Sequence, residues 1–247
     1  MRQLLFKRYT MKLPISERLL CCASLITPGS RVADIGTDHG YLGIYLLQNG
    51  LSPYVLAADL REKPLEKAKE NARLYQTDDR MEFVLSDGLT NIPPEAADTI
   101  VCAGMGGDLI GMILDACPWV RDSRCTLILQ PQSGGQDLRR HLAETGFCIE
   151  REVPVADGGF LYTVMRVRFG TPMQLTPGQQ YVSPWLLQSG SALVKPYLDR
   201  IEAALKKTVA GLERAAVPEP EKLSYFRQAW KEVQEMRESY ADDSGNL

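Results

Sequence analysis

The segment at residues 34–40, which reads DIGTDHG, combines two aspartates with two glycines. A dinucleotide-binding turn needs glycine at the position of Asp38, because its backbone must approach a pyrophosphate closely. An aspartate would repel that pyrophosphate, but it can accept hydrogen bonds from a cationic amino group. Gly36 permits a tight turn, and Gly40 lets the backbone come close to a ligand and to the next helix. The segment therefore favours S-adenosylmethionine, which has an ammonium group, over a nicotinamide dinucleotide.

Carboxylates and glycines recur after three further apolar segments. Asp59 follows the second segment, where a carboxylate can accept from both ribose hydroxyls of a bound nucleoside. Asp87 follows the third and can accept from an adenine amino group, while Gly88 leaves room for the ring. The fourth is followed by GMGG at residues 104–107, which can form the wall where a methyl acceptor enters. A single carboxylate at the end of a strand is usually a turn or cap residue. The four polar or glycine-rich segments together, at the ends of four successive strands, predict a cofactor site.

The segment after the fourth strand also bears on the atom that would receive a methyl group. Enzymes that methylate exocyclic amines of adenine or cytosine carry Asn/Asp-Pro-Pro-aromatic there, whereas residues 103–107 read AGMGG. No cysteine stands in a nucleophile motif, which disfavours transfer to C5 of cytosine. N1 of adenine has a free lone pair at neutral pH, so alignment rather than a strong base is required. Asp38 could hydrogen-bond the base amine and offset the charge of the cationic product.

These residues follow a regular alternation of predicted strands and helices. A first helix is predicted over 14–26. Continuous apolar runs separated by helical segments predict five strands, at 31–36, 54–60, 81–88, 97–107 and 125–131. Such strands are typical of a parallel sheet covered by helices on both faces. Two further strands, joined by the turn sequence ADGG at 156–159, indicate a terminal antiparallel hairpin.

The composition changes after residue 170. Residues 171–190 are rich in Thr, Pro, Gly, Gln and Ser, which predicts a linker. Two amphipathic helices are predicted beyond it, separated by Pro218-Glu219-Pro220, and they would form a helical hairpin at 191–240. The sequence thus predicts a cofactor-binding domain at 11–170, a linker at 171–190 and a small helical domain at 191–240.

Composition limits the classes of function. The formal net charge is −3, so an RNA-binding surface would have to be a local patch of Lys and Arg. Only two histidines and no Cys-x-x-Cys pair occur, so no metal site is expected. No apolar run approaches the ~18 residues of a membrane-spanning helix, and residues 1–10 are too short and polar for a signal peptide. We expect a cytoplasmic protein with reduced cysteines, no membrane association and no evident protein partner.

Six motifs spread over residues 11–170 are specific in combination. They are LPISERL at 13–19, ADIGTDHGYL at 33–42, SDGL at 86–89, AGMGG-x-LI at 103–110, LILQP at 127–131 and the tyrosine of GFLYTV at 159–164. In these motifs the chain resembles the bacterial tRNA (adenine-22-N1)-methyltransferase family. The resemblance implies an α/β fold: a Rossmann-like, seven-stranded methyltransferase sheet with a C-terminal α-helical, coiled-coil-like hairpin domain that helps to grip tRNA. The chain departs from the family at Gln132, where Asn is usual, and at Asp59, where Glu is common.

The resemblance also implies that Asp38 lies close to the acceptor adenine. From the residues alone Asp38 would meet the cofactor ammonium, and both roles hold if it lies between the two groups. The residues expected at S-adenosylmethionine are Asp34, Gly36, Thr37, His39, Gly40, Asp59, Leu60, Asp87, Gly88, Ala103 and Gly104. Those expected at the reacting atoms are Asp38, Met105, Gly106 and Tyr162. Those expected at the tRNA are Arg18, Gly107, Gln130 and Pro131.

Two other classes of function remain open on the sequence. The first is a methyltransferase of the same fold that acts on a small molecule or a protein, for which tRNA would not affect turnover. The second is a protein that binds the cofactor or RNA without catalysis, for which binding would occur without methyl transfer.

Overall fold

The structure, a computed structural model, describes residues 12–244. Residues 1–10 and the predicted domain start at residue 11 lie outside the described residues. The strands are β1 (Val32–Ile35), β2 (Val55–Asp59), β3 (Met81–Leu85), β4 (Thr99–Gly106), β5 (Thr126–Ser133), β6 (Phe147–Asp157) and β7 (Phe160–Phe169). The helices are α1 (Glu17–Leu25), α2 (Tyr41–Gln48), α3 (Glu62–Leu74), α4 (Gly107–Asp115), α5 (Gly135–Thr145), α6 (Pro177–Tyr181), α7 (Pro184–Leu187), α8 (Val194–Glu213) and α9 (Pro220–Ser244).

The seven strands form one sheet in the order β3-β2-β1-β4-β5-β7-β6. Strands β1 to β5 are parallel, whereas β7 pairs antiparallel with both β5 and β6. The chain order reverses between β1 and β4, which lie side by side. Ligands in open α/β sheets bind beyond the carboxyl ends of the strands at such a switch point. The predicted Rossmann-like, seven-stranded fold is confirmed.

Both faces of the sheet are covered by apolar side chains. Every residue of β1 and of β2 is buried, as expected for central strands of a parallel sheet. One face packs mainly against α4 and α5, and the other against α1, α2 and α3. The carboxyl ends of the strands are therefore held rigidly, and the loops that follow them begin from fixed positions.

The segment predicted as a linker contains two short helices, α6 and α7. Thr176 caps α6 in a capping box with Gln179, and the Ser183 side chain caps α7. The Thr and Ser residues that resembled linker composition are therefore helix caps followed by proline, a common start for a helix. Val182 and Leu186 are buried in an apolar cluster with residues of α8 and α9, so this segment packs onto the predicted helical hairpin.

A buried ion pair joins the sheet domain to the helical part. Arg139 of α5 and Glu152 of β6 are at most 1% exposed, with Nε 3.1 Å from either carboxylate oxygen. The same guanidinium donates to the Gln180 carbonyl oxygen at 3.0 Å and lies 3.3 Å from the Tyr197 hydroxyl on α8. Because a buried charge is costly without its partners, this network holds α6 and α8 against the sheet domain. None of the described helices is long and apolar enough to cross a membrane.

Candidate functional site

A cavity of about 490 Å³ lies beyond the carboxyl ends of β1, β2, β3 and β4, where the strand order predicts a ligand. It contains most of the residues that the sequence predicts for the cofactor and the reacting atoms. Those lining it are Asp34, Gly36, Thr37, Asp38, Asp59, Leu60, Asp87, Gly88, Ala103, Gly104 and Met105. Arg18, which the sequence predicts at the tRNA, also lines it. We refer to it as the strand-end cavity.

The other predicted residues lie elsewhere. Gly40 is the N-cap residue before α2, with φ +73°, and a Cβ there would lie 3.1 Å from the Cβ of Ala68 on α3. Its glycine therefore serves the packing of two helices. His39 is exposed and stacks on Tyr41, with ring centroids 5.5 Å apart. The remaining residues outside the cavity lining are Gly106, Gly107, Gln130, Pro131 and Tyr162.

Asp34 at the end of β1 is the most buried carboxylate of the cavity, at 4% exposure. Its Oδ2 accepts a hydrogen bond from the Thr37 hydroxyl at 2.7 Å. Burial raises the pKa of Asp34 to about 6, the Thr37 hydrogen bond opposes this, and the charge of Asp59 adds to it. A carboxylate deprived of water in this way is stabilised by a hydrogen-bond donor or a cation that enters the cavity.

The buried charge of Asp34 should make stability depend on pH. A carboxyl whose folded-state pKa is raised contributes stability at low pH, which is lost as the pH rises through about 6. Asp34→Asn should therefore stabilise the ligand-free protein at pH 8 by about 2 kcal/mol, with the difference closing near pH 4. Urea denaturation at both pH values measures this. A matched control is Asp98→Asn, because the hydrogen bond from Arg31 lowers the pKa of Asp98. Removing that carboxylate should destabilise the protein at pH 8. An equal difference at pH 4 and pH 8 for Asp34→Asn would contradict the assignment.

Three further carboxylates differ in exposure. Asp59 at the end of β2 is 7% exposed, and its Oδ1 accepts from the Arg61 backbone N–H at 2.9 Å. Asp87 is exposed, and it follows β3 at the edge of the cavity. Asp38 is also exposed and has φ +52°, a conformation that aspartate tolerates better than most residues. The cavity thus offers two fixed buried carboxylates and two that a ligand can reach from solvent.

The loop after β1 touches the end of β4 at the cavity. A Cβ on Gly36 would lie 2.3 Å from the Met105 methyl group, so the absence of a side chain lets Met105 approach. The pairing of β4 with β5 shifts register between Ala103 and Met105, where Gly104 has φ +78°. Such an irregularity re-aims the side chain that follows it. It places Met105 at the wall of the cavity, as the sequence predicts.

Gln130 and Arg18 form the support behind this wall. Gln130, predicted to meet tRNA, is fully buried, and its Oε1 accepts from the Gly104 N–H at 3.0 Å and from Arg18 at 2.8 Å. Arg18 also donates to Asp157 at 2.7 Å and lies over the Tyr162 ring, 5.2 Å from its centroid. Burial removes Gln130 from direct contact with RNA, and it positions Gly104 instead. The contributions of Gln130 and Asp157 depend on contacts across more than a hundred positions, for which the sequence carries no local signal.

Several cavity residues were not predicted from the sequence. They are Leu19, Ile35, Leu42, Arg61, Ser86, Leu109, Ile113 and Gln132. Arg61 and Ser86 neighbour the predicted strand-end residues Leu60 and Asp87 in the sequence. That adjacency could have predicted their place in the cavity. Gln132 follows the LILQP motif, where the sequence departs from the asparagine that is usual in the family.

Gly107 packs the start of α4 against the loop before α5 rather than lining the cavity. A Cβ there would lie 2.3 Å from the carbonyl oxygen of Gly134 and 2.9 Å from its carbon. These are backbone atoms, so Gly107→Ala should force the loops apart and destabilise the protein by about 1–3 kcal/mol. Thermal denaturation measures this. The control is Gly211→Ala in α8, where no atom lies within 4 Å and alanine should stabilise the helix by about 0.5–1 kcal/mol. Unchanged stability of Gly107→Ala would contradict the close packing.

Comparison with known proteins adds to this geometry. A family model described as "Methyltransferase domain" matches residues 15–165. The tRNA (adenine(22)-N(1))-methyltransferase of Bacillus subtilis (strain 168) is 32% identical over 159 residues, which are 64% of this chain and 67% of that protein.

Two solved structures share the whole architecture. The crystal structure of the B. subtilis M1A22 tRNA methyltransferase TrmK has a TM-score of 0.80 and 26% identity, covering 92% of this chain and 100% of that one. Streptococcus pneumoniae Sp1610 in complex with S-adenosyl-L-methionine has a TM-score of 0.77 and 26% identity, covering 90% and 99% of the two chains. The match extends beyond the sheet and includes the C-terminal helices, since coverage reaches nine tenths of the chain.

Proposed function

The chain belongs to the family of bacterial tRNA (adenine-22-N1)-methyltransferases, and on this premise we propose that it transfers a methyl group from S-adenosylmethionine to N1 of adenine 22 in tRNA. The observation that carries the proposal is the convergence of Asp34, Asp38 and Asp59 on one cavity at the switch point of the sheet. The similarity to a B. subtilis protein that is named for this reaction supports the same conclusion.

The strand-end cavity has the chemistry to hold the cofactor. Asp59, buried at the end of β2, would accept from the ribose hydroxyls, and Asp87 from the adenine amino group. Asp34 would interact favourably with the cationic part of the cofactor, since a positive charge stabilises its buried carboxylate. S-adenosylmethionine supplies a methyl group on a positively charged sulfur when it is bound. The related S. pneumoniae protein binds this cofactor, which agrees with the donor and acceptor set of the cavity.

The acceptor adenine must leave any base stack to reach the cavity. Asp38 would accept a hydrogen bond from its exocyclic amine and so direct N1 towards the methyl group. Its carboxylate also offsets the positive charge that the base acquires when N1 is methylated. Met105 and the backbone of Gly104 form the adjacent wall, and Gln130 holds that wall in place. No strong base is required, because the N1 lone pair is available at neutral pH.

The domain division predicted from the sequence is part of this proposal. Residues 11–170 would bind the cofactor and carry out the transfer, and the helical hairpin at 191–240 would help to grip the tRNA. The segment 171–190 would join them through α6 and α7. Because the substrate is tRNA, we place the activity in the cytoplasm.

The test is methyl transfer from radiolabelled S-adenosylmethionine to an unmodified tRNA transcript, followed by nucleoside mass spectrometry. We expect N1-methyladenosine, and we expect its loss when adenine 22 of the transcript is replaced by guanine. Calorimetric titration with the cofactor, in the absence of RNA, is the parallel measurement. Tight cofactor binding without transfer to tRNA would refute the proposal and indicate a small molecule or a protein as the acceptor.

A further inference from the structure

A second cavity, of about 540 Å³, lies between the sheet domain and the helical hairpin. Its volume falls within the roughly 300–1,000 Å³ of typical small-ligand sites. Five aromatic rings contribute to its lining, those of Phe160, Tyr162, Tyr181, Tyr197 and Phe226. We refer to it as the aromatic pocket. Of its lining residues, Tyr162 and Pro131 are among the site residues predicted from the sequence.

The aromatic pocket adjoins the strand-end cavity. Gln132 lines both, so the two cavities meet at the end of β5. Tyr162 in the aromatic pocket lies under the guanidinium of Arg18, which lines the strand-end cavity. An RNA strand that delivers one base to the strand-end cavity can therefore place a neighbouring nucleotide at the aromatic pocket.

The rim of the aromatic pocket carries an exposed ring and an exposed cation. Phe160 is 64% exposed at the start of β7, and its ring centroid is 6.3 Å from that of Tyr162. An exposed ring beside a cavity is accessible to a ligand on which it can stack. Arg200 on α8 lies over the Tyr197 ring, 4.9 Å from its centroid, and has no carboxylate partner among residues 12–240.

Rings together with a planar cation are the groups that recognise unstacked nucleotides. Aromatic side chains stack on bases of any type, and arginine either stacks on a base or pairs with its phosphate. The strand-end cavity is lined by four aspartates and two arginines, whereas the described residues that line the aromatic pocket include no carboxylate. Its exposed cation is Arg200, since Arg139 is buried and paired with Glu152. The two cavities therefore differ in charge, and the aromatic pocket is the better place for a phosphate-bearing group that is not the reacting base.

We propose that the aromatic pocket binds a second nucleotide of the tRNA, next in the strand to the acceptor adenine. Its base would stack on Phe160, and its phosphate or base would contact Arg200. This inference rests on the proposed function, since it takes the acceptor adenine to lie in the strand-end cavity. Holding the neighbouring nucleotide offsets part of the cost of pulling the acceptor out of its stack.

The first test uses Phe160→Ala and Arg200→Ala in steady-state methylation of tRNA. Loss of a stacking ring should raise KM for tRNA by about 5- to 100-fold, while the affinity for S-adenosylmethionine measured by calorimetry changes less than about two-fold. The matched control for Arg200 is Lys206→Ala, which removes one positive charge from an exposed position on the same helix. Arg200→Lys should recover only part of the affinity, because an ammonium lacks the planar face.

The second test locates the RNA directly. Transcripts that carry 4-thiouridine next to position 22 are irradiated on the full-length protein, and the crosslinked peptide is identified by mass spectrometry. We expect the peptide that contains Phe160 or the one that contains Tyr197. If the wild-type protein methylates tRNA, but both alanine variants keep the wild-type KM for tRNA and no crosslink reaches these peptides, the inference is wrong. If the wild-type protein does not methylate tRNA, the proposed function fails instead, and a crosslink at these peptides would still establish the pocket as an RNA site.

Discussion

Replacing Asp38 by asparagine should lower kcat for tRNA methylation by at least about 100-fold, with less than about five-fold loss of cofactor affinity. The side chain lines the strand-end cavity and is exposed, with only the exposed His39 Nε2 near it at 3.5 Å from Oδ2, so an acceptor base can reach its carboxylate. Removing one group that stabilises developing charge typically costs 10²–10³ in kcat. Asparagine keeps the size of the side chain but loses the negative charge that offsets the cationic product. Rapid-quench single-turnover kinetics at saturating cofactor would measure the chemical step.

Asparagine is a cleaner substitution than alanine at this position. Asp38 has φ +52°, which costs most residues about 1–2 kcal/mol and which asparagine adopts readily. The variant should therefore fold like the parent protein. Asp79→Asn is the matched control, because its side chain is 76% exposed and lies outside the strand-end cavity. A single-turnover rate for Asp38→Asn equal to that of this control would remove Asp38 from the mechanism.

Asp59→Ala should weaken binding of S-adenosylmethionine by at least about 100-fold. Hydrogen bonds to a charged group contribute about 1.5–3 kcal/mol each, and the ribose would donate two of them to this carboxylate. Asp59 is 7% exposed and already bonded to the Arg61 backbone N–H, so its position is fixed before the cofactor arrives. Isothermal titration calorimetry in the absence of tRNA would measure the loss separately from any effect on catalysis.

Asp59→Glu is the matched control for this prediction. The family commonly has glutamate at the ribose position, so the longer side chain of the same charge should keep affinity within about ten-fold. Circular dichroism melting of the ligand-free variants separates lost binding from lost folding. Affinity of Asp59→Ala within two-fold of the wild-type value, in a protein that melts normally, would refute the ribose assignment.

The residues at the strand ends show how much of the site could be predicted from the sequence. Asp34, Asp59 and Asp87 were predicted at one edge because each follows a short apolar run. Parallel strands bring such positions together whatever the lengths of the helices between them. The structure places all three in the strand-end cavity. Their individual roles toward the cofactor stay predictions.

The sequence by itself determined the local elements, the order of strands and helices, and the edge of the sheet at which the carboxylates meet. Apolar periodicity and glycine turns are properties of a few neighbouring residues, so they are visible without the fold. The hairpin of β6 and β7 and the C-terminal helices were predicted on the same basis. The motifs after the first and fourth strands also indicated the family, because their combination is specific.

Only the tertiary structure decided how these parts support one another. It places Gln130 in the core behind Gly104, Gly40 against Ala68, and α6 and α7 where a linker was predicted. The aromatic pocket combines rings between Phe160 and Phe226 that lie on β7, α6, α8 and α9. Such contacts join residues far apart in sequence and depend on how helices pack, which no local pattern encodes. The chemistry of single strand ends is therefore local, whereas the support and the entrance of the site depend on the whole fold.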